Sequence, residues 1–208
     1  MATTADPPRR RGRPRAGERE ERHRRVIDAA FAELVEHGAE RVTMLGIAER
    51  AGASKETLYS WFGNRLGLLR AMIEENADGA AARVRAALGD DADPRETLVG
   101  FAAGLLTLLT DPRSVALNRA AMTSPELAET LLASGRHRVG PIVEEYLVRL
   151  DADGVLSIDD PAAAFRLLYG LVIQDTQIRV LLGEAPPGPV ELRAQAERGV
   201  AAFFRLSS

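Results

Sequence analysis

The sequence predicts an all-α protein: a small N-terminal three-helix unit followed by a larger helical remainder. Three observations predict it. Apolar residues recur at three- and four-residue spacing through segment after segment. The breaks between segments carry helix-ending and helix-starting residues, among them Gly38, Gly52 and the pair Asp160-Pro161. No segment alternates apolar and polar residues on either side of hairpin chemistry, so strands are not expected.

Residues 1–18 read as a disordered basic arm, with Pro7, Pro8, Pro14, Gly12 and Gly17 and almost no apolar content. From Arg19 the pattern turns helical. Val26, Ile27, Ala30, Phe31, Leu34 and Val35 form one apolar stripe, which His37-Gly38 ends. Thr43 is a good N-cap for a second helix through Ile47, Ala48 and Ala51, stopped by Gly52. Ser54 caps a third, holding Leu58 and Phe62 four residues apart. A long fourth helix is expected from about Arg65 to Leu88. Further helices follow over 98–109, from Pro112 toward Met122, from Ser124-Pro125 to Gly135, and over 141–150. Asp160-Pro161 opens a helix expected to run unbroken to Leu182, and a last one covers 190–206. The domain division predicted is 1–18, 19–64 and 65–208.

Composition closes several doors. The chain has 208 residues, 46% of them apolar and 27% charged, which is ordinary for a globular protein. It has no Cys, which excludes disulfides, Cys-ligated zinc, iron–sulfur clusters and a thiol nucleophile. No apolar run reaches the roughly 18–20 residues that span a bilayer. The N-terminal arginines have no apolar stretch behind them, so no secretory signal is expected, and the location expected is the cytoplasm. Charge is unevenly placed. Residues 1–70 carry 14 cations against 10 acids, and the remainder 13 against 20. A basic front and an acidic back suggest that only the front meets a polyanion.

The informative stretch is 43–62, TMLGIAERAGASKETLYSWF. It reads as two helices joined by a tight turn at Ala51-Gly52-Ala53, where a bulky side chain would block the crossing. Its buried set is Ile47, Ala48, Ala51, Leu58 and Phe62. On a wheel of about 100° per residue with Leu58 at zero, Glu56 falls near 160° and Ser60 near 200°. Thr57 and Tyr59 flank that outward face. Such polar groups suit the base edges of a major groove. Gly46 sits mid-helix at about 1 kcal/mol of lost propensity, which a close approach of helices would explain.

This stretch resembles the N-terminal domain of the TetR family of bacterial transcriptional regulators. The residues that carry the resemblance are Thr43, Ile47, Ala48, Ala51-Gly52, Ser54-Lys55, Thr57-Leu58-Tyr59, Phe62 and Leu68. The resemblance implies a helix-turn-helix that binds double-stranded DNA. Thr43 would meet a phosphate from the start of the second helix. Ser54, Tyr59, Trp61 and Arg65 would contact the DNA backbone, with Lys55 nearby, while Thr57 and Ser60 approach base edges. Two positions depart from the family pattern. Arg65 stands where lysine is usual, and Glu56 stands where a small residue is usual. The Glu56 carboxylate could accept from a cytosine amino group, or it could repel phosphate and face solvent.

In the arm, Arg11-Gly12-Arg13-Pro14 looks like the core of an AT-hook, whose Arg11 and Arg13 would enter a narrow minor groove. The alternative is a solvated basic tail adding salt-sensitive, non-specific affinity.

The family resemblance also implies a homodimer, a palindromic operator and an effector pocket. Reading two half-sites needs two copies. The last two helices, 161–182 and 190–206, are the dimerisation candidates, and 161–182 is apolar nearly all round. The pocket would lie among the middle helices, lined by Phe101, Leu105, Leu108, Met122, Tyr146, Phe165 and Tyr169. Its small-molecule effector would be apolar or aromatic, and repression is the family's usual sign. The segment SPELAETLL and the Asp160-Pro161 helix ending at Leu182-Gly183 look like an AefR-like C-terminal domain. Ordinary core packing is the plainer reading of these aromatic and Met positions.

Two rival classes stand beside this reading. A helical enzyme would need a nucleophile–base set, a phosphate loop or metal-ligand spacing. His23, His37 and His137 fall in separate segments, and Glu144-Glu145 and Asp159-Asp160 are sequence neighbours that do not share one helix face. No catalytic, metal or cofactor residue is expected. The second rival is an architectural DNA binder without an effector.

Overall fold

The computed structural model describes residues 16–89 and 93–207. Among them the chain runs α1 (Ala16–His37), α2 (Met44–Ala51), α3 (Lys55–Phe62), α4 (Arg65–Leu88), α5 (Pro94–Thr110), α6 (Pro112–Ala121), α7 (Pro125–Ser134), α8 (Arg136–Ala152), α9 (Pro161–Ile173), α10 (Thr176–Leu181) and α11 (Pro189–Leu206), with no strand. The fold is all-α, as the periodicity predicts. Short polar side chains start these helices: the Asn64, Asp93, Asp111, Ser124 and Asp160 side chains each accept from a backbone N–H of the first turn.

Two apolar cores organise the helices. The first gathers Val26, Ile27, Phe31 and Leu34 of α1, Ile47 of α2, Leu58 of α3 and Leu68, Leu69, Met72 and Ile73 of α4. Leu117 and Ala120 of α6 and Leu127 of α7 complete it. The second packs Leu98, Phe101, Ala102 and Leu106 of α5 against Val143, Tyr146 and Leu147 of α8, Phe165 and Leu168 of α9, and Ala196, Val200 and Phe203 of α11. α4 therefore starts inside the first core and ends, at Leu88, inside the second.

Three expectations on the helices are corrected. α1 begins at Ala16, so residues 16–18 are helical rather than part of an arm. α8 begins at Arg136 and carries Pro141 within it rather than starting there. The helix expected over 161–182 is broken: Gln174 adopts φ 50° and ψ −129°, so α9 ends at Ile173 and α10 restarts at Thr176. The physical reason lies on α11. Buried Gln195 donates from Nε2 to the Val172 carbonyl at 2.8 Å, and the Thr176 hydroxyl donates to its Oε1 at 3.1 Å. A side chain from another helix thus satisfies backbone that the break leaves unpaired.

Candidate nucleic-acid interface and helical cavity

The head is positioned by local capping. Thr43 Oγ1 accepts from the Gly46 N–H at 3.1 Å and starts α2. Gly52 ends it in the left-handed region at φ 60°, with its N–H directed to the Ala48 and Glu49 carbonyls. Ser54 Oγ then accepts from the Thr57 N–H at 3.2 Å and starts α3. Leu58 is fully buried and anchors α3 to the head core. Gly46 explains itself here: a Cβ would lie 3.3 Å from Thr43 Oγ1 and 3.5 Å from the Glu33 carboxylate. That approach lets Arg50 of α2 reach Glu33 and Glu36 of α1, at 2.9 and 2.8 Å.

α3 turns Lys55, Glu56, Tyr59 and Ser60 to solvent, and Thr57 is half-buried. The Lys55 ammonium sits 5.7 Å from the Tyr59 ring centre. Glu56, exposed, accepts from its own N–H and from the Ser54 hydroxyl, which hold its carboxyl below the usual range. Trp61 is half-buried, its ring 5.5 Å from His23 and 6.2 Å from Phe62, so its indole braces α3 against α1. Glu56, Thr57, Ser60 and Trp61 line one shallow groove together with Arg19 and Arg22 of α1. Those two arginines are site candidates that the reading of 43–62 missed; only the density of arginine in 19–25 hinted at them.

Arg65 departs from its expected place. Its guanidinium donates to the Ala39 carbonyl in the α1–α2 connection, and its Nε is buried without a partner. It turns inward onto protein rather than outward beside Tyr59. Arg11 and Arg13 lie outside the described residues.

Between α4 and the helices from α5 to α10 lies a cavity of about 480 Å³. Phe101, Leu105, Leu108, Phe165 and Tyr169 line it. Met122 and Tyr146 do not. Met122 lies beyond the end of α6 and is 64% exposed, while Tyr146 is buried in the second core with the Arg149 guanidinium 5.2 Å from its ring. Sequence reasoning missed the glycines: Gly100 and Gly104 of α5 also line the cavity, and a Cβ on either meets nothing within 4 Å. The polar lining is sparse. Asn76 donates to Ser114 at 3.2 Å, and the Tyr169 hydroxyl to Gln177 at 3.4 Å. The Arg136 guanidinium lies 4.6 Å from the Tyr169 ring centre and 5.6 Å from that of Phe165. Burial raises the Tyr169 phenol above its ordinary range.

Cavity and head share two helices. α4 contributes Ile73 to both the cavity lining and the first core and buried Ala77 to the lining, with Leu69 and Met72 one turn toward the head. α6 lines the cavity with Leu117 and reaches α1 through Arg113, which bonds Asp28 at 2.9 Å and lies 4.8 Å from the Phe31 ring centre. Leu167 of α9, Ile178 of α10, Leu182 and Val190 are exposed apolar side chains.

Residues 26–72 match the family model for bacterial regulatory proteins of the tetR family, and residues 96–206 match that of the AefR-like transcriptional repressor C-terminal domain. The chain belongs to the TetR family. Its relatives are transcriptional regulators rather than enzymes, which sets the enzyme alternative aside. A TetR transcriptional regulator from Agrobacterium tumefaciens is 35% identical with a TM-score of 0.72, the alignment covering 89% of this chain and 94% of that one. The transcriptional activator FasR of Mycolicibacterium smegmatis is 36% identical over 107 residues, 47% of this chain. The match spans 48% of that relative's length, about half. FadR from Bacillus subtilis, solved in complex with stearoyl-CoA, shares the fold at a TM-score of 0.73 and 18% identity, over 88% of this chain and 97% of that one. Among the described residues of this TetR-family regulator, no group of three His, Asp or Glu side chains could hold a metal, and no helix is long and apolar enough to cross a membrane.

Proposed function

We propose that the chain is a dimeric, ligand-responsive transcriptional repressor that binds a palindromic operator through α2 and α3 and is released by a small-molecule effector. One observation carries this reading: the cavity and the DNA-reading head are built on the same two helices, α4 and α6. An effector that fits the cavity better in one arrangement of α4 shifts the population of head positions by its difference in affinity, and by no more.

The assignment of roles follows the geometry of α3. Thr57 and Ser60 read base edges, and Thr43, Ser54, Lys55, Tyr59 and Trp61 approach the backbone, joined by Arg19 and Arg22. Glu56 faces the same groove. Its carboxylate accepts from its own amide and from Ser54, so it is held at the start of α3 rather than extended toward a base. The domain division proposed is a head over 19–64 and an effector and dimerisation unit over 65–208, with the first turns of α4 packed in the head core. The exposed apolar row on α9 and α10, with the ends of α11, forms the dimer surface. Repression is favoured by the match of residues 96–206 to an AefR-like repressor domain.

The test is a footprint of the purified protein on DNA flanking its own gene. The expected result is a symmetric protected site with half-sites about 34–36 Å apart, or a multiple of that spacing. A single asymmetric site, or no protection at low salt, sinks the reading.

A further inference from the structure

Two arginines at the cavity have no acid. Arg83 of α4 and Arg136 of α8 line it and are exposed, which places them where it opens to solvent. Among the described residues they are the only charged ones in the lining, to which no Asp or Glu contributes. Among the described residues, neither has a carboxylate within ion-pair distance. The contrast with a neighbour is sharp: Arg138, two residues further along α8, pairs with Asp78 of α4. Among the described residues neither arginine is ion-paired, so the mouth of the cavity carries two positive charges beside an apolar slot.

Resting on the effector reading above, we propose that the effector is an amphipathic organic anion, its acid head held by Arg83 and Arg136 and its apolar body in the slot formed by α5, Phe165 and Tyr169. The charge at the cavity favours this class over the alternatives. A cation meets two like charges, and the aromatic faces that would attract it already carry the Arg136 guanidinium. A neutral apolar ligand leaves the two arginines to solvent and gains nothing from their charge. An acid head accepts from the planar guanidinium fork, of whose five N–H groups the Tyr169 hydroxyl can occupy few. The two cations also stand on different helices. An anion between them draws α4 toward α8, and α4 is the helix that enters the head core. The head charge therefore supplies the difference in affinity that a release mechanism requires.

The experiment is calorimetric titration of the full chain with two matched pairs, decanoate against 1-decanol and 2-naphthoate against 2-naphthol, with decyltrimethylammonium as the cation. The same titrations are run on the double variant Arg83→Gln/Arg136→Gln. At least one acid is expected to bind about tenfold or more tightly than its alcohol at low salt. The double variant is expected to lose that preference while still binding the alcohol, which also shows that it is folded. Decanoyl-CoA separates two sources of the charge: tighter binding than decanoate assigns the head to phosphates, weaker binding to a free carboxylate. Equal affinity within both pairs, a preference for the cation, or an unchanged preference in the double variant overturns the anion assignment and leaves the effector reading standing. Binding of none of the probes overturns both.

Discussion

Gln195 of α11 donates to the Val172 carbonyl at 2.8 Å, across the break between α9 and α10. The amide is 9% exposed and also bonds the hydroxyl of Thr176, so a single polar side chain in an apolar interface satisfies both sides of the interruption. Replacing it by Leu keeps the volume and leaves a carbonyl and a hydroxyl unpaired. The expected loss is about 1–3 kcal/mol. For a chain of this size that is a fall in Tm of roughly 2–4 °C per kcal/mol, read by thermal unfolding. An unchanged Tm in Gln195→Leu would show that the break needs no support from α11.

The break itself is strained. Gln174 at φ 50° and ψ −129° occupies a region that L side chains avoid and glycine enters freely. Its side chain is exposed and bonds only the Leu171 carbonyl, at 3.3 Å. Gln174→Gly is therefore expected to raise stability by about 1 kcal/mol, against the usual trend for glycine, because relieved strain outweighs the added freedom of the unfolded chain. A lowered Tm would mean that the backbone here is not strained.

These two residues also show where the sequence was silent. Gln-Asp-Thr at 174–176 contains no Gly or Pro, and the apolar period continues through it; the helix ends because of a partner 19 residues on in sequence, which local patterns do not carry. The head was legible for the opposite reason. Thr43, Gly52 and Ser54 act on backbone within three or four residues, so capping and turn chemistry could be read in place. The outward face of α3 followed from the two anchors Leu58 and Phe62 alone. Arg65 could not be placed this way, since the Ala39 carbonyl that attracts it lies 26 residues back. Periodicity likewise marked Met122 and Tyr146 as apolar without saying which neighbours they meet, and it passed over Gly100 and Gly104, whose contribution is the volume they do not fill.

On α3 the proposed roles separate by experiment. Tyr59 is 44% exposed and stands on the outer face with Lys55 beside its ring. Tyr59→Phe removes one hydroxyl donor, worth about 1 kcal/mol, and is expected to weaken binding to operator and to unrelated DNA by about the same factor. Thr57→Ala is expected to do the reverse, weakening operator binding more than non-specific binding. Competition gel shifts with the two DNAs measure both. If the two variants change the operator-to-non-specific ratio equally, the division into backbone and base contacts is wrong.

Leu167 of α9 is 40% exposed and borders half-buried Leu171, one turn further on. Placing a charge there would harm the proposed subunit interface and leave each subunit's core untouched. Leu167→Glu is expected to shift the sedimentation of the protein from dimer to monomer and to lower operator affinity by an order of magnitude or more, because each half-site is then bound alone. Its helical circular dichroism should not change. A variant that remains dimeric would place the interface away from this face of α9.

Gly104 offers the cleanest separation of the two activities. It lies on α5 against the cavity, where an added Cβ meets no atom within 4 Å, and α5 makes no contribution to the head core. A large side chain at 104 fills volume that an effector would use, without disturbing any helix that touches DNA. Replacing a helical glycine by Trp also recovers up to about 0.5 kcal/mol of propensity. Gly104→Trp is therefore expected to fold at least as well as the parent, to bind operator with unchanged affinity, and to lose effector binding by at least about tenfold. The operator complex should then persist at effector concentrations that release the parent protein. Operator binding lost together with effector binding would show that filling the slot already imposes the released arrangement of α4, and retained effector binding would place the ligand elsewhere.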